Sequence, residues 1–172
     1  MGEGQALQSL CDCEGQKTTM GEAIGALHGG GPDGTLPPKE PAMTKSYTDL
    51  LTEAYDQITT IPTELATALV DDPDTLIVDL RDRRELEREG KIPDAFHCPR
   101  GMLEFWIDPS SPYHKPALAE AKQIVFYCAS AWRSALASKT AQDMGFDNVA
   151  HIEGGFSAWK DAGGAVEQVA AK

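Results

Sequence analysis

Residues 123–139 read QIVFYCASAWRSALASK, and the order of residue types in them decides how the chain folds. Ile124 to Tyr127 is a short apolar run with β-branched and aromatic members, the pattern of a strand buried on both faces. It ends at Cys128. The small or polar Ala129, Ser130 and Ala131 follow, then Trp132, Arg133 and Ser134, and then an alanine-rich segment of strong helix formers. The thiol is therefore predicted at a switch from strand to helix. The first turn of a helix has N–H groups without intrahelical acceptors, and together with the aligned peptide dipoles they favour negative charge. Arg133 adds a permanent positive charge five residues on. Both raise the thiolate fraction, the nucleophilic form of cysteine. The same residues also fit a buried, inert cysteine closing an apolar strand, and spacing alone does not choose between the two.

Upstream, Leu76-Ile77-Val78 predicts a second buried strand running into Asp79-Leu80-Arg81. The charged run from Arg81 to Lys91 predicts a solvated turn or short helix stopping at Gly90. Ala95 to Cys98 reads as a short strand before Pro99, and residues 101–118, with Phe105, Trp106 and Tyr113 among prolines, as a partly helical excursion. Ile58 to Ile61 predicts another strand, after which Pro62 opens a helix with Leu65, Ala68 and Leu69 inward. Tyr47, Leu50, Leu51, Ala54, Tyr55 and Ile58 recur at the spacing of one helix face, capped by Thr44 or Ser46. Downstream, the alanine-rich helix is expected to stop near Gly145. Val149 to Ile152 then reads as a strand, Glu153-Gly154-Gly155 as a turn, and Phe156 to Lys160 as a last helix. Strands alternating with helices imply an α/β fold with a mostly parallel sheet of about five strands and helices on both faces. Ligands collect beyond the carboxyl ends of such strands, where Cys128 is placed.

The 172 residues carry a net charge of −12, from 15 basic and 27 acidic side chains. Nucleic acid and anionic membrane would each need a basic face, so neither is expected as a partner. The cysteines at 11, 13, 98 and 128 show neither a disulfide framework nor paired zinc spacing, and no metal site emerges. His97 and His151 fall on predicted strands and read as satisfied core residues. Without a secretory leader or a bilayer-length apolar run, a soluble protein of the reducing cytoplasm is expected. Residues 1–42 hold nine of the 16 glycines and four of the 11 prolines. They read as a disordered, acidic, Gly/Pro-rich tail, preceding a domain over 43–172 whose first part, 43–57, is an N-terminal helix packed on it. Cys11-Asp12-Cys13 in that tail is given no function.

From Ile58 onward the chain resembles a single-domain rhodanese, a sulfurtransferase. Asp79-Leu80-Arg81 is similar to the family's D-V/L-R. Gly90-Lys91-Ile92-Pro93-Asp94-Ala95 is similar to its G-H-I-P-G-A, and Cys128 to Ser134 to its C-x-x-G-x-R-S. Glu153 to Trp159, EGGFSAW, is similar to its closing E-G-G-[FW]-x-x-W. The resemblance implies that Cys128 takes a sulfane sulfur from thiosulfate or a related small anionic donor. The resulting persulfide passes the sulfur to a thiol or cyanide, with no cofactor. It implies that the N–H groups of residues 129 to 133 hold the persulfide charge. Arg133 would orient the loop and attract the donor, Trp132 and Ser134 would shape the pocket, and Asp79 and Arg81 would give structural support.

Two residues depart from the pattern where the family has glycine: Asp94, expected to be harmless in a surface turn, and Ala131, which costs strain if its φ is positive. Two other functions fit the same residues. One is a non-catalytic partner-binding or redox-sensing module, which Ala131 favours. The other is a phosphatase or arsenate reductase, whose C-x5-R loop is one residue longer than the C-x4-R here. Oligomeric state is not legible in the residues.

Overall fold

In the computed structural model, which describes residues 44–171, five strands form one sheet: β1 (Thr59–Ile61), β2 (Thr75–Asp79), β3 (Phe96–His97), β4 (Gln123–Tyr127) and β5 (Val149–Ile152). Their order is β1-β5-β4-β2-β3, and every pairing is parallel. The tail expected over 1–42, with its Cys11-Asp12-Cys13, lies outside the described residues. From β2 the chain moves outward to β3, then returns across β2 to β4 and moves the other way to β5. That reversal puts a topological switch point at the carboxyl ends of β2 and β4, where such sheets open a crevice.

Alternation along β4 builds the core on both faces. Ile124 and Phe126 join Val78, Leu80, Leu103, Ile107, Leu118, Ala137 and Ala141. These come partly from α4 (Leu103–Ile107), α5 (Pro116–Glu120) and α6 (Trp132–Asp143). Val125 and Tyr127 point the other way, among Ala66, Ile77, Ile92, Ala95, Ile152, Phe156 and Trp159. Here the covering elements are α2 (Thr63–Ala66) and α7 (Gly155–Asp161). Each large apolar side chain so buried contributes about 1.5–3 kcal/mol. No helix among the described residues is long and apolar enough to cross a membrane.

Two helix faces differ from expectation. In α2 the inward residues are Thr63 and Ala66, while Leu65 and Ala68 are exposed. The chain tightens into a 3₁₀ turn over Thr67–Leu69, so the buried positions recur every three residues and only Leu69 of the expected set stays partly covered. In α1 (Tyr47–Tyr55), opened by a capping box of Ser46 and Asp49, only Leu51 and Ala54 pack inward, with Ile58 just beyond, against Ala135. Tyr47, Leu50 and Tyr55 remain exposed, because α1 rests on one helix, α6, which is too narrow to cover the whole stripe.

Candidate active site

Cys128 directly follows β4, and α6 begins four residues later, so the thiol stands at the strand-to-helix switch over the crevice. The three residues between them make the loop. Ala131 caps α6 in the left-handed region, with φ 68° and ψ −14°, which is the strained geometry that an alanine in a glycine position would have to adopt. Asp94, the other departure from glycine, also has a positive φ, 56°. Asp tolerates that region better than most residues.

The loop carbonyls are tied down. The N–H of Phe156 donates to the Cys128 oxygen at 2.7 Å, and that of Ser157 to the Ala129 oxygen at 3.1 Å. Both donors belong to the first turn of α7, which would otherwise have no acceptors for them. The Ala131 oxygen accepts from Ala135 N–H at 2.9 Å and from Ser134 Oγ at 3.0 Å. In a trans peptide the N–H points opposite to its own carbonyl. Fixing the carbonyls of 128, 129 and 131 therefore turns the N–H groups of 129, 130 and 132 toward the other side. Among the described residues, no backbone N–H from 129 to 134 donates to a backbone or side-chain acceptor. The thiol is thus followed by six unengaged donors.

Gly155 makes this approach possible. Its φ is +64°, and a Cβ there would collide with the Cys128 oxygen and stand 2.9 Å from the Ala131 nitrogen. The E-G-G-F segment is a backbone-to-backbone dock for the loop.

Beneath the loop, Arg81 ties three of the sequence motifs together. Fully buried, it donates from Nε and Nη2 to the Asp79 carboxylate at 2.8–3.2 Å and from Nη2 to the Gly90 oxygen at 2.7 Å. Its guanidinium lies 3.9 Å from the centre of the Phe156 ring. Burial works against its charge, but the bonds to Asp79 keep its pKa above the ordinary value. Tyr127, next to the cysteine, accepts the Ile92 N–H at 3.1 Å, and burial pushes its hydroxyl pKa up. Asp79 and Arg81 thus brace the crevice from below.

Arg133 is held by a partner that the sequence patterns do not point to. Its Nη1 and Nη2 donate to the two carboxylate oxygens of Glu85 at 2.7 and 2.8 Å. Glu85 is the third residue of α3 (Arg83–Glu89), and its carboxylate also accepts the Asp82 N–H at 2.9 Å in a capping box. The Arg133 hydrogen bonds lower the Glu85 pKa to about 2, and the Glu85 bonds raise that of Arg133, with a Cys128 thiolate adding to the effect. The spacing D-x-x-E at 82–85, just ahead of an apolar residue, is the signal that marks this helix start. Read for charge alone, the run is only solvent-facing.

The remaining expected residues take three positions. Trp132 is exposed on the rim, its ring 5.7 Å from that of Tyr47. Ser130 is exposed and Ala129 half-buried on the loop itself. Ser134 is buried behind the loop, where it shapes the Ala131 carbonyl and not a pocket wall, and approaches His151 Nδ1 at 3.3 Å. His151 also meets Thr60 Oγ1 at 2.9 Å, and burial lowers its pKa to about 4, so it is a neutral core residue at physiological pH. His97 Nε2 meets the Arg81 oxygen at 2.9 Å. Cys98 is a second buried thiol, its pKa raised to about 12 by burial, which removes it as a nucleophile. Cys128 itself is buried, 1% exposed at the end of β4.

An open parallel sheet with a cysteine at its switch point and a short loop into a helix defines a recognisable class. The model of the Rhodanese-like domain matches residues 62–162, more than half of the chain, and the chain belongs to that family, which is of the sulfurtransferase type. A solved structure from Rhodopseudomonas palustris, described as a protein of unknown function and possible tyrosine phosphatase, is 56% identical. The match covers 77% of this chain and 100% of that one, with a TM-score of 0.72. A sulfurtransferase from Allochromatium vinosum is 30% identical over 55% of this chain and 80% of its own length. The mouse thiosulfate sulfurtransferase/rhodanese-like domain-containing protein 3 is 27% identical over 54% of this chain. Of that mouse protein the chain spans 62%.

Proposed function

We propose that the chain is a sulfurtransferase in which Cys128 carries a sulfane sulfur as a persulfide. The observation that carries this reading is the run of six unengaged N–H groups beginning at the residue after the thiol, at the start of a 12-residue helix. In the first half-reaction the Cys128 thiolate attacks the outer sulfur of the donor. A new S–S bond forms, the donor's S–S bond breaks, and its electron pair leaves with sulfite when the donor is thiosulfate. The negative charge now sits on the terminal sulfur of the persulfide, where the amides of the loop stabilise it. In the second half-reaction cyanide or a thiolate attacks that terminal sulfur, and Cys128 leaves as thiolate. Two half-reactions through a covalent intermediate give ping-pong kinetics.

A loop of four residues between cysteine and arginine suits a single sulfur better than a tetrahedral oxyanion, which favours this reading over phosphate-ester hydrolysis. The test is intact mass after incubation with thiosulfate, on the wild type and on Cys128→Ser, followed by cyanide and a thiocyanate assay. A labile added sulfur on the wild type alone is expected. An unlabelled wild type that hydrolyses a phosphate ester would transfer the assignment to a phosphatase, and silence in both assays would assign a binding module.

A further inference from the structure

Strand β5 reads Val149-Ala150-His151-Ile152, and all four residues are buried. An imidazole in such a strand needs a partner for each nitrogen, or its burial is costly. His151 finds them on two sides. Thr60, opposite it in the β1–β5 ladder, places Oγ1 2.9 Å from Nε2, and Ser134 on α6 places Oγ 3.3 Å from Nδ1. The Tyr55 ring at the end of α1 stands 5.7 Å from the imidazole.

The direction of these bonds follows from the hydrogens available. Ser134 Oγ lies 3.0 Å from the Ala131 oxygen, and the serine hydroxyl holds the only hydrogen that can stand between them. With that hydrogen committed, Nδ1–H donates to Ser134. The ring is neutral because burial lowers its pKa to about 4, so Nε2 carries no hydrogen and accepts from Thr60. Three donors in series, Thr60, His151 and Ser134, thus all point toward one atom, the Ala131 carbonyl oxygen. The first turn of α7 does not hold this carbonyl, since its N–H groups bind the Cys128 and Ala129 oxygens. It belongs to a residue at φ 68°, a conformation that persists only where the surroundings enforce it.

We propose that His151 is a positioning residue for sulfur transfer, acting through Ser134 to hold the Ala131 carbonyl inward and so keep the Trp132 N–H among the donors offered to the Cys128 sulfur. The Nδ1–H occupies the lone pair of Ser134 Oγ that faces the core, which leaves the hydroxyl hydrogen to the Ala131 acceptor. The catalytic meaning rests on the persulfide reading of Cys128, and the hydrogen-bond series does not.

The experiment compares the full chain with His151→Leu, His151→Asn, Ser134→Ala and the double variant Ser134→Ala/His151→Leu. It reads the rate of Cys128 loading by thiosulfate, the rate of Cys128 alkylation by iodoacetamide at neutral pH, and the urea midpoint. Peptide mass separates Cys128 from the other cysteines at 11, 13 and 98. Leucine fills the space without a donor, whereas the asparagine Nδ2 takes the place of the imidazole Nδ1. His151→Leu is expected to slow loading roughly threefold to tenfold, the effect of one hydrogen bond, and to slow alkylation too, with its midpoint held or raised. His151→Asn should keep most of both rates while lowering the midpoint. Rate and stability then follow opposite orders, which a role in packing alone does not produce. The double variant should be no slower than Ser134→Ala, because both changes break the same series. Wild-type rates in His151→Leu, equal losses in the leucine and asparagine variants, or losses that multiply in the double variant overturn the proposal. A wild type that thiosulfate does not load removes the persulfide reading. Alkylation, which needs only the thiolate, then upholds the series in the order given and overturns it in any other.

Discussion

Replacing Glu85 by glutamine tests how strongly the loop arginine is anchored. The carboxylate pKa drops from 4.5 to about 2, led by the Arg133 hydrogen bonds. A group whose pKa is lowered on folding stabilises the native state above its unfolded value, and that stability is lost as pH falls through the folded value. A drop of that size corresponds to about 3 kcal/mol at neutral pH. The side chains of the pair remain 39% and 21% exposed, and solvent screening reduces the contribution to about 1–2 kcal/mol. The amide oxygen introduced by Glu85→Gln can still accept the Asp82 N–H, so the helix start survives and the lost contribution is the ion pair. Urea unfolding of the wild type and of Glu85→Gln at a series of pH values reads this directly. At pH 7 the variant should be less stable by about 1–2 kcal/mol, and the gap should close between pH 4.5 and about 2. Parallel stability curves across that window, or a gap that persists at its acid end, would refute the pairing.

Gly155→Ala is expected to cost about 2–4 kcal/mol of stability, combining a left-handed alanine with the displacement of the loop backbone it would strike. Thermal unfolding measures the first effect, and loss of Cys128 persulfidation in the fraction that still folds measures the second. Ala131→Gly acts in the opposite sense. Relief of about 1–2 kcal/mol of left-handed strain is set against about 0.4–1 kcal/mol for the more flexible unfolded chain. The melting temperature should hold or rise by a few degrees, and a fall would contradict the positive φ at this residue.

The sheet was legible in the sequence because its strands are short apolar runs bounded by turn chemistry, and each of the five predicted runs forms a strand. The thiol at the end of β4 and the stop of α3 at Gly90, φ 78°, follow from the same local rules. What the residues did not reveal depends on packing between segments distant in sequence. Glu85 and Arg133 are 48 residues apart, and the local D-x-x-E spacing marks Glu85 as a helix-capping residue without marking it as the partner of Arg133. Tyr47, Leu51 and Tyr55 share a helical face by periodicity, but whether that face is covered depends on the width of the partner, and α6 covers only its middle. The family resemblance implies a pocket-shaping role for Ser134, whereas the third position of α6 turns inward here and its hydroxyl donates to the Ala131 carbonyl. The two departures from glycine, Asp94 and Ala131, are the two non-glycine residues with positive φ among the described residues. The backbone path at both places is therefore set by the surrounding contacts, and these residues accept it at a cost.

Two helix starts share the strand-to-helix loop, and their needs are complementary. The first-turn N–H groups of α7 at Phe156 and Ser157 find acceptors in the carbonyls of Cys128 and Ala129, which satisfies α7 and fixes two peptide planes of the loop. Because those planes are fixed, the N–H groups on their far side face away from α7 and are left without protein partners at the start of α6. A loop that satisfied its own amides would be more stable, and it would have nothing to offer an anionic sulfur. The strain at Ala131 and the absent Cβ at Gly155 belong to the same arrangement: one permits the chain to turn into α6 within four residues, the other lets α7 come close enough to pull the carbonyls back. The distant closing motif therefore acts on the thiol through the direction of the loop's peptide groups, without contributing a side chain to them.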